Sequence, residues 1–200
     1  MDFFLFRHLN DFAAHHDIVG DFFEFLANQG QVLFVVLLGA LFLARGKWRS
    51  TNGRHGVVAA GFAALLALAV AHLIGDLWDR ARPYEAHPAS AHLLVGASAD
   101  PSFPSDHATA AFAIAVSIAL RSRRVGPIAL AMAIAVSVAR VAVGRHYPSD
   151  VLGGALLGTA AALVLWTPPI RRPLHALADC AGGVYEWCVA RLYRQPSAST

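Results

Sequence analysis

Residues 57–78 read VVAAGFAALLALAVAHLIGDLW, and the first nineteen of them contain no Asp, Glu, Lys or Arg. A helix crossing the hydrocarbon core of a bilayer needs about 20 predominantly apolar residues, so this stretch predicts a transmembrane span. Its polar groups, His72, Asp76 and, just beyond, Asp79, collect at one end. Working outward, four more apolar segments meet the same description: residues 31–44, which borrow from 25–30 to reach a useful length, then 107–120, 125–143 and 151–166. The whole chain is 56% hydrophobic against 14% charged, a balance that belongs to membrane proteins.

The net charge of +3 does not point to nucleic acid, because the basic residues fall in short clusters between the apolar segments. Arg45, Lys47, Arg49 and Arg54 form one cluster, Arg121, Arg123 and Arg124 a second, and Arg171 and Arg172 a third. These are alternate connections, so all three lie on one side of the membrane. The positive-inside rule makes that side the cytoplasm. Residues 80–106 and the turn at 144–150 then share the opposite, external side. A soluble core of apolar helices is the alternative architecture, and the alternating charge bias is what it fails to explain.

Residues 1–29 mix Phe3, Phe4, Phe12, Phe22 and Phe23 with Asp11, His15, His16, Asp17, Asp21 and Glu24, a pattern suited to lying at an interface or against the bundle rather than spanning. They lack the basic start of a secretory signal, so insertion is expected to rely on the internal spans. Residues 167–200 read as an amphipathic cytoplasmic tail with a frayed end at 195–200. Cys180 and Cys188, eight residues apart on one helix, would be separated by roughly 12 Å, too far for a disulfide. The expected fold is all-α: a single integral membrane bundle of about five or six helices, with an amphipathic N-terminal segment (1–29), a core (31–166) and a tail (167–200).

Three polar clusters fall on the external face. In DRARPYE (79–85), the proline after Arg82 restricts that residue to extended backbone, which helps aim its guanidinium, with Arg80 beside it. In SFPSDHATA (102–110), a turn leads into the third span, so free backbone N–H groups at the helix start favour an anion, with Ser105, Asp106 and His107 at the same place. In RVAVGRHYPSD (140–150), His146 and Asp150 have i, i+4 spacing. A helix starting near Pro148 would bring the carboxylate to one imidazole nitrogen and leave the other free to act as nucleophile or base, with Arg140 supplying charge. Taken singly, each cluster has a structural reading: Arg82 anchors a span end, Ser105 or Asp106 caps a helix, and an HxxxD pair holds a turn. Together they form a site for a tetrahedral oxyanion. Arginines can neutralise a phosphoryl group without a metal ion, and no carboxylate cluster suited to a divalent cation is evident.

The ordered trio RARP, PSDH and ARVAVGRHYPSD resembles the signature of the type 2 phosphatidic acid phosphatase superfamily over about residues 56–166, and is most like its bacterial undecaprenyl diphosphate phosphatase branch. The resemblance implies His146 as a nucleophile forming a phosphohistidine, Asp150 as its orienting partner and His107 as general acid. It implies Arg82, Arg140 and Ser105 as phosphate ligands, with no metal or other cofactor. The family's lysine falls at Gly75, leaving Arg80 as a possible replacement. Its motif glycine is Asp106, a residue bordering the substrate, and the serine before the third-motif arginine is Ala139. The implied partners are the membrane and a lipid diphosphate. Another lipid phosphate (phosphatidic acid, phosphatidylglycerol phosphate or a sphingoid phosphate) is the nearest alternative. A lipid-binding or transport protein without turnover is the alternative of a different class.

Overall fold

A computed structural model describes residues 1–43 and 51–192 of the chain. Arg45, Lys47, Trp48, Arg49 and the expected frayed end at 195–200 lie outside the described residues. Within them the chain is helical, with no strand: α1 (Asp2–Ala14), α2 (Asp17–Leu43), α3 (Thr51–Leu77), α4 (Pro83–Ala86), α5 (Asp106–Ala119), α6 (Gly126–Ala142), α7 (Pro148–Trp166) and α8 (Pro168–Leu192). The five apolar segments are α2, α3, α5, α6 and α7, and three of these, α2, α3 and α7, are long and apolar enough to cross a membrane. The chain is an integral membrane helical bundle.

Two expectations from the sequence need correcting. The first span does not begin near residue 31, because α2 runs unbroken from Asp17 for 27 residues. The helix passes through Gly30 because that glycine packs against α6, where a Cβ would lie 2.5 Å from a Val136 methyl. The amphipathic segment 1–29 is therefore divided between α1 and the first turns of α2. The number of helices also exceeds five or six, since α1, the four-residue α4 and the amphipathic α8 stand beside the five apolar ones.

At the centre lies α5, packed by α3, α6 and α7 together. Nine of its fourteen residues are buried, which explains how a helix rising only about 21 Å belongs to a membrane bundle: its neighbours, not lipid, surround it. The packing uses small side chains. Ala111 and Ala115 of α5 meet Ala60, Ala129 and Ala133, and Ala113 meets Ala63, Ala67, Ala161 and Ala162. Lipid tails are as apolar as any core, so close backbone approach supplies the attraction between such helices. Against α5, α7 presents Gly154 and Gly158; a Cβ on Gly158 would lie 2.2 Å from the Thr109 carbonyl oxygen and 2.7 Å from the Ala113 nitrogen. Gly158→Ala is therefore expected to destabilise the bundle by about 1–3 kcal/mol through overpacking, read as a lower unfolding temperature in detergent. An unchanged midpoint would show that α5 and α7 can separate freely. The outer surface is apolar, with Val35 66%, Leu65 66% and Leu156 73% exposed.

Among the described residues, basic side chains from the three clusters lie at one end of the bundle. Arg121 and Arg171 both lie over the Trp166 ring, 4.4 and 5.1 Å from its centre. Arg54 reaches α8 through a 2.9 Å ion pair to Glu186. The free thiols Cys180 and Cys188 are exposed on α8.

Candidate active site

The opposite end is tied together by buried polar residues. Asn10 of α1, fully buried, donates to the carbonyls of His92 (2.7 Å) and Ala142 (2.8 Å) and accepts from the His92 amide (2.8 Å). It thereby pins α1 and the long 87–105 connection to the end of α6. The turn from α6 to α7 passes through Gly144 at φ +87°, where any Cβ would strike the His92 carbonyl oxygen at 2.2 Å. Only glycine fits there, and the residues that follow are Arg145 and His146.

His146 is buried at 2% exposure. Its Nδ1 donates to the Ser102 carbonyl at 2.8 Å, which leaves the Nε2 lone pair facing the recess, where Arg82 Nη1 lies 3.2 Å away. Burial first, then the charges of Arg140 and Arg82, hold this imidazole well below its ordinary pKa. A neutral ring with one fixed tautomer is a competent nucleophile.

The hydrogen bond expected from Asp150 to His146 is not made. Nδ1 and Oδ2 are 3.8 Å apart, although α7 starts at Pro148 as expected and places Asp150 in its first turn. There Oδ2 accepts the Tyr147 amide at 2.8 Å, and also the Ser102 hydroxyl at 2.6 Å. Asp150 thus acts through an intermediary: it fixes Ser102, and the Ser102 carbonyl fixes the imidazole.

Arg80 does not reach the recess either. Its Nη1 donates to Asp150 Oδ1 at 2.5 Å and to Ser149 Oγ at 2.7 Å, and Nη2 donates to Asp2 at 2.7 Å. A fully buried carboxylate needs a cation close by, and Arg80 fills that need for Asp150 instead of standing in for the lysine absent at Gly75. Asp2 completes the network by accepting the Ser149 amide at 3.0 Å.

Arg82 takes the extended backbone expected of a residue before proline (φ −73°, ψ 157°) and is 4% exposed. The carbonyls of Asp100, Pro101 and Arg145 receive its side-chain donors at 2.8–3.2 Å. Burial and next the Arg145 charge pull it below the usual guanidinium value. Arg140, also 4% exposed, has a single long contact to the Ala27 carbonyl (3.4 Å), and its Nε has no partner. Ser105 occupies the N-cap position of α5, yet its hydroxyl makes no cap bond and is buried without a partner.

These groups surround a recess of about 310 Å³ lined by Arg82, His107, Arg140, Arg145 and His146, with Gly75 and Gln31 on the walls from α3 and α2. His107 is the second residue of α5. Asp106 also lines the recess, and its carboxylate lies 3.9 Å from His72 Nε2. An ionised carboxylate has no donor to offer an anion, so Asp106 belongs to the rim and not to the phosphate ligands. Sequence reasoning passed over Ser102, Asp2 and Arg145. Asp2 carries no motif and Ser102 opens the 102–110 cluster without a role read for it, whereas Arg145 could have been found from its place beside His146. Among the described residues no three His, Cys, Asp or Glu side chains converge as a metal-binding group.

Residues 56–172, more than half of the chain, match the PAP2 superfamily. The undecaprenyl-diphosphatase BcrC of Bacillus subtilis (strain 168) is 27% identical over 197 residues, 98% of each chain. The bacitracin transport permease protein BcrC of Bacillus licheniformis is 32% identical over 173 residues, covering 86% of this chain and 83% of that one. Among solved structures, Aquifex aeolicus LpxE superposes with a TM-score of 0.63 at 26% identity, over 82% of this chain and 93% of that chain. The fold, the arrangement of the three sequence clusters around one recess and these likenesses agree: the chain belongs to the PAP2 superfamily, as a membrane-embedded lipid phosphatase.

Proposed function

We propose that the chain hydrolyses undecaprenyl diphosphate to undecaprenyl phosphate and orthophosphate, without a metal ion, and so recycles the carrier lipid of cell-wall synthesis. The observation that carries this reading is the set of buried donors without partners, Arg140 Nε and Ser105 Oγ, beside a histidine nitrogen whose lone pair faces Arg82. Buried donors in a polar recess call for an acceptor, and a phosphoryl group is an acceptor of the right charge and shape.

His146 Nε2 attacks the terminal phosphorus. The bridging P–O bond breaks, its electron pair leaves on the lipid phosphate, and His107 supplies the proton that the departing oxygen takes up. Water then gives a proton back to His107 and attacks the phosphohistidine, releasing orthophosphate and restoring His146. Arg82 and Arg140 neutralise the charge that builds on the phosphoryl oxygens. The positive-inside bias supports a recess on the external face of the bacterial plasma membrane, where a diphosphate carrier would be released after delivering its cargo. The full-length likeness to an undecaprenyl-diphosphatase supports the choice of lipid.

Phosphate release from detergent-solubilised protein in EDTA, across a panel of prenyl diphosphates, phosphatidic acid, phosphatidylglycerol phosphate and a sphingoid phosphate, tests the proposal. The prenyl diphosphates should give the highest kcat/KM. Preference for a glycerolipid would replace the substrate and keep the chemistry, and loss of turnover in EDTA would refute metal independence. Gly75, where the family carries a lysine, favours a second reading in which the pocket binds or moves a lipid phosphate without cleaving it. Absence of turnover on every member of the panel would establish that reading.

A further inference from the structure

Arg145 lines the same recess as Arg82, Arg140 and His146, yet its hydrogen bonding differs from that of the other two arginines. Arg82 has Nε, Nη1 and Nη2 all engaged by protein groups. Arg140 has one contact and one unpartnered nitrogen. Arg145 has two buried nitrogens, Nε and Nη1, with no partner at all. Leaving buried charged donors unsatisfied is costly, and the cost is compounded by like charge: after burial itself, Arg145 is the neighbour that most depresses Arg82. The carboxylates that also line the recess, those of Asp76, Asp100 and Asp106, make no hydrogen bond or ion pair to any of the three arginines' side chains.

Three guanidinium groups exceed what a single phosphate requires. A lipid monophosphate carries a charge of about −2 at most near neutral pH, and a diphosphate adds roughly one more. Arg82 stands at the nucleophile, and Arg140 and Ser105 supply free donors beside it, so the phosphate under attack is already served. We infer that Arg145 binds the second phosphate of a diphosphate, the one bonded to the lipid alcohol, and thereby selects diphosphates over monophosphates. The inference rests on the phosphoanhydride reading proposed above. As the bridging bond breaks, the leaving lipid phosphate gains the electron pair, and Arg145 is the cation in place to balance it.

Gly75 makes the inference separable from folding. It is buried in the wall of the same recess, and a Cβ there would meet the Phe103 carbonyl oxygen at 3.5 Å and the Pro101 ring at 3.8 Å, ordinary contact distances. A Cβ at 75 therefore meets only ordinary contacts, and Gly75→Lys is the substitution that offers a replacement charge from this wall of the recess.

The test is calorimetric titration of the full chain in detergent and EDTA with methylenediphosphonate, a diphosphate that cannot be cleaved, and with orthophosphate. Arg145→Gln should weaken methylenediphosphonate binding about 10- to 100-fold, the range for losing charge-assisted hydrogen bonds, and orthophosphate binding less than about threefold. Gly75→Lys combined with Arg145→Gln should recover diphosphate affinity. Equal losses for both anions would move Arg145 to the attacked phosphate and overturn the inference. So would diphosphate binding unchanged in Arg145→Gln or undetectable in the unmodified protein, and so would no recovery in the double variant. Binding needs no turnover, so the two readings fail separately. A protein that binds the diphosphate through Arg145 yet cleaves no prenyl diphosphate refutes the proposed function alone. A protein that cleaves prenyl diphosphates with unchanged affinity in Arg145→Gln refutes the role of Arg145 alone.

Discussion

His146→Ala is expected to abolish phosphate release, lowering kcat by about 10⁴-fold or more, as loss of a covalent nucleophile does elsewhere, while the protein stays folded. The ring makes two contacts, through Nδ1 to the Ser102 carbonyl and through Nε2 to Arg82, and neither holds two helices together. Its removal leaves the three arginines in place, so phosphate should still bind, and more tightly than it turns over. Two measurements check this: release of phosphate from the preferred lipid, and an acid-labile, base-stable phosphoenzyme on rapid quenching of the unmodified protein that is missing from the variant. His107→Ala should slow kcat as well but still form the phosphoenzyme on a substrate with a good leaving group. Activity of His146→Ala within about tenfold of the unmodified protein would assign the attack to water or to another residue.

The second large effect belongs to Asp150. This carboxylate is wholly buried and accepts from Arg80, the Ser102 hydroxyl and the Tyr147 amide. Asp150→Ala strands all three donors, and breaking one side of a buried ion pair costs about 3–5 kcal/mol. The expected result is a markedly lower unfolding temperature together with a fall in kcat, since the Ser102 carbonyl that sets the His146 tautomer loses its own support. Asp150→Asn keeps the shape and one oxygen, so it should retain more stability than activity. If Asp150→Ala leaves both the unfolding midpoint and kcat near those of the unmodified protein, the relay through Ser102 does not operate.

The wiring of Asp150 shows where the sequence stops being legible. Spacing of i, i+4 brought the carboxylate within 3.8 Å of the imidazole, which is as much as helix geometry can promise. Which donor it accepts depends on two competitors that spacing does not contain. One is the Tyr147 amide, freed because α7 begins at Pro148; the other is Ser102, delivered by a connection 48 residues away in the chain. Arg80 was misplaced for the same reason, since a buried acid on a distant helix claims it. The apolar segments, by contrast, were readable because a span is a local property of about 20 residues. Their ends were less so: α2 begins at Asp17, well before residue 31, and Gly30 within it is a packing site against Val136, a fact fixed by a helix more than 100 residues further on. Asp106 stands where the resembling family has glycine, and which way its carboxylate faces is another long-range matter: it lies 3.9 Å from His72 Nε2 of α3.

The walls of the recess on α3 extend from Asp76 down to Leu68, about 12 Å along the helix axis. Leu68 lies close to the middle of the apolar stretch Gly53–Leu77. The recess therefore runs along α3 into its apolar middle. Extraction of a lipid chain into water would cost about 0.8 kcal/mol per CH₂. A recess that reaches this far along an apolar helix lets the chain stay in the bilayer, and a lipid phosphatase built this way meets its substrate as a two-dimensional solute. The concentration that governs its rate is then the mole fraction of that lipid in the membrane.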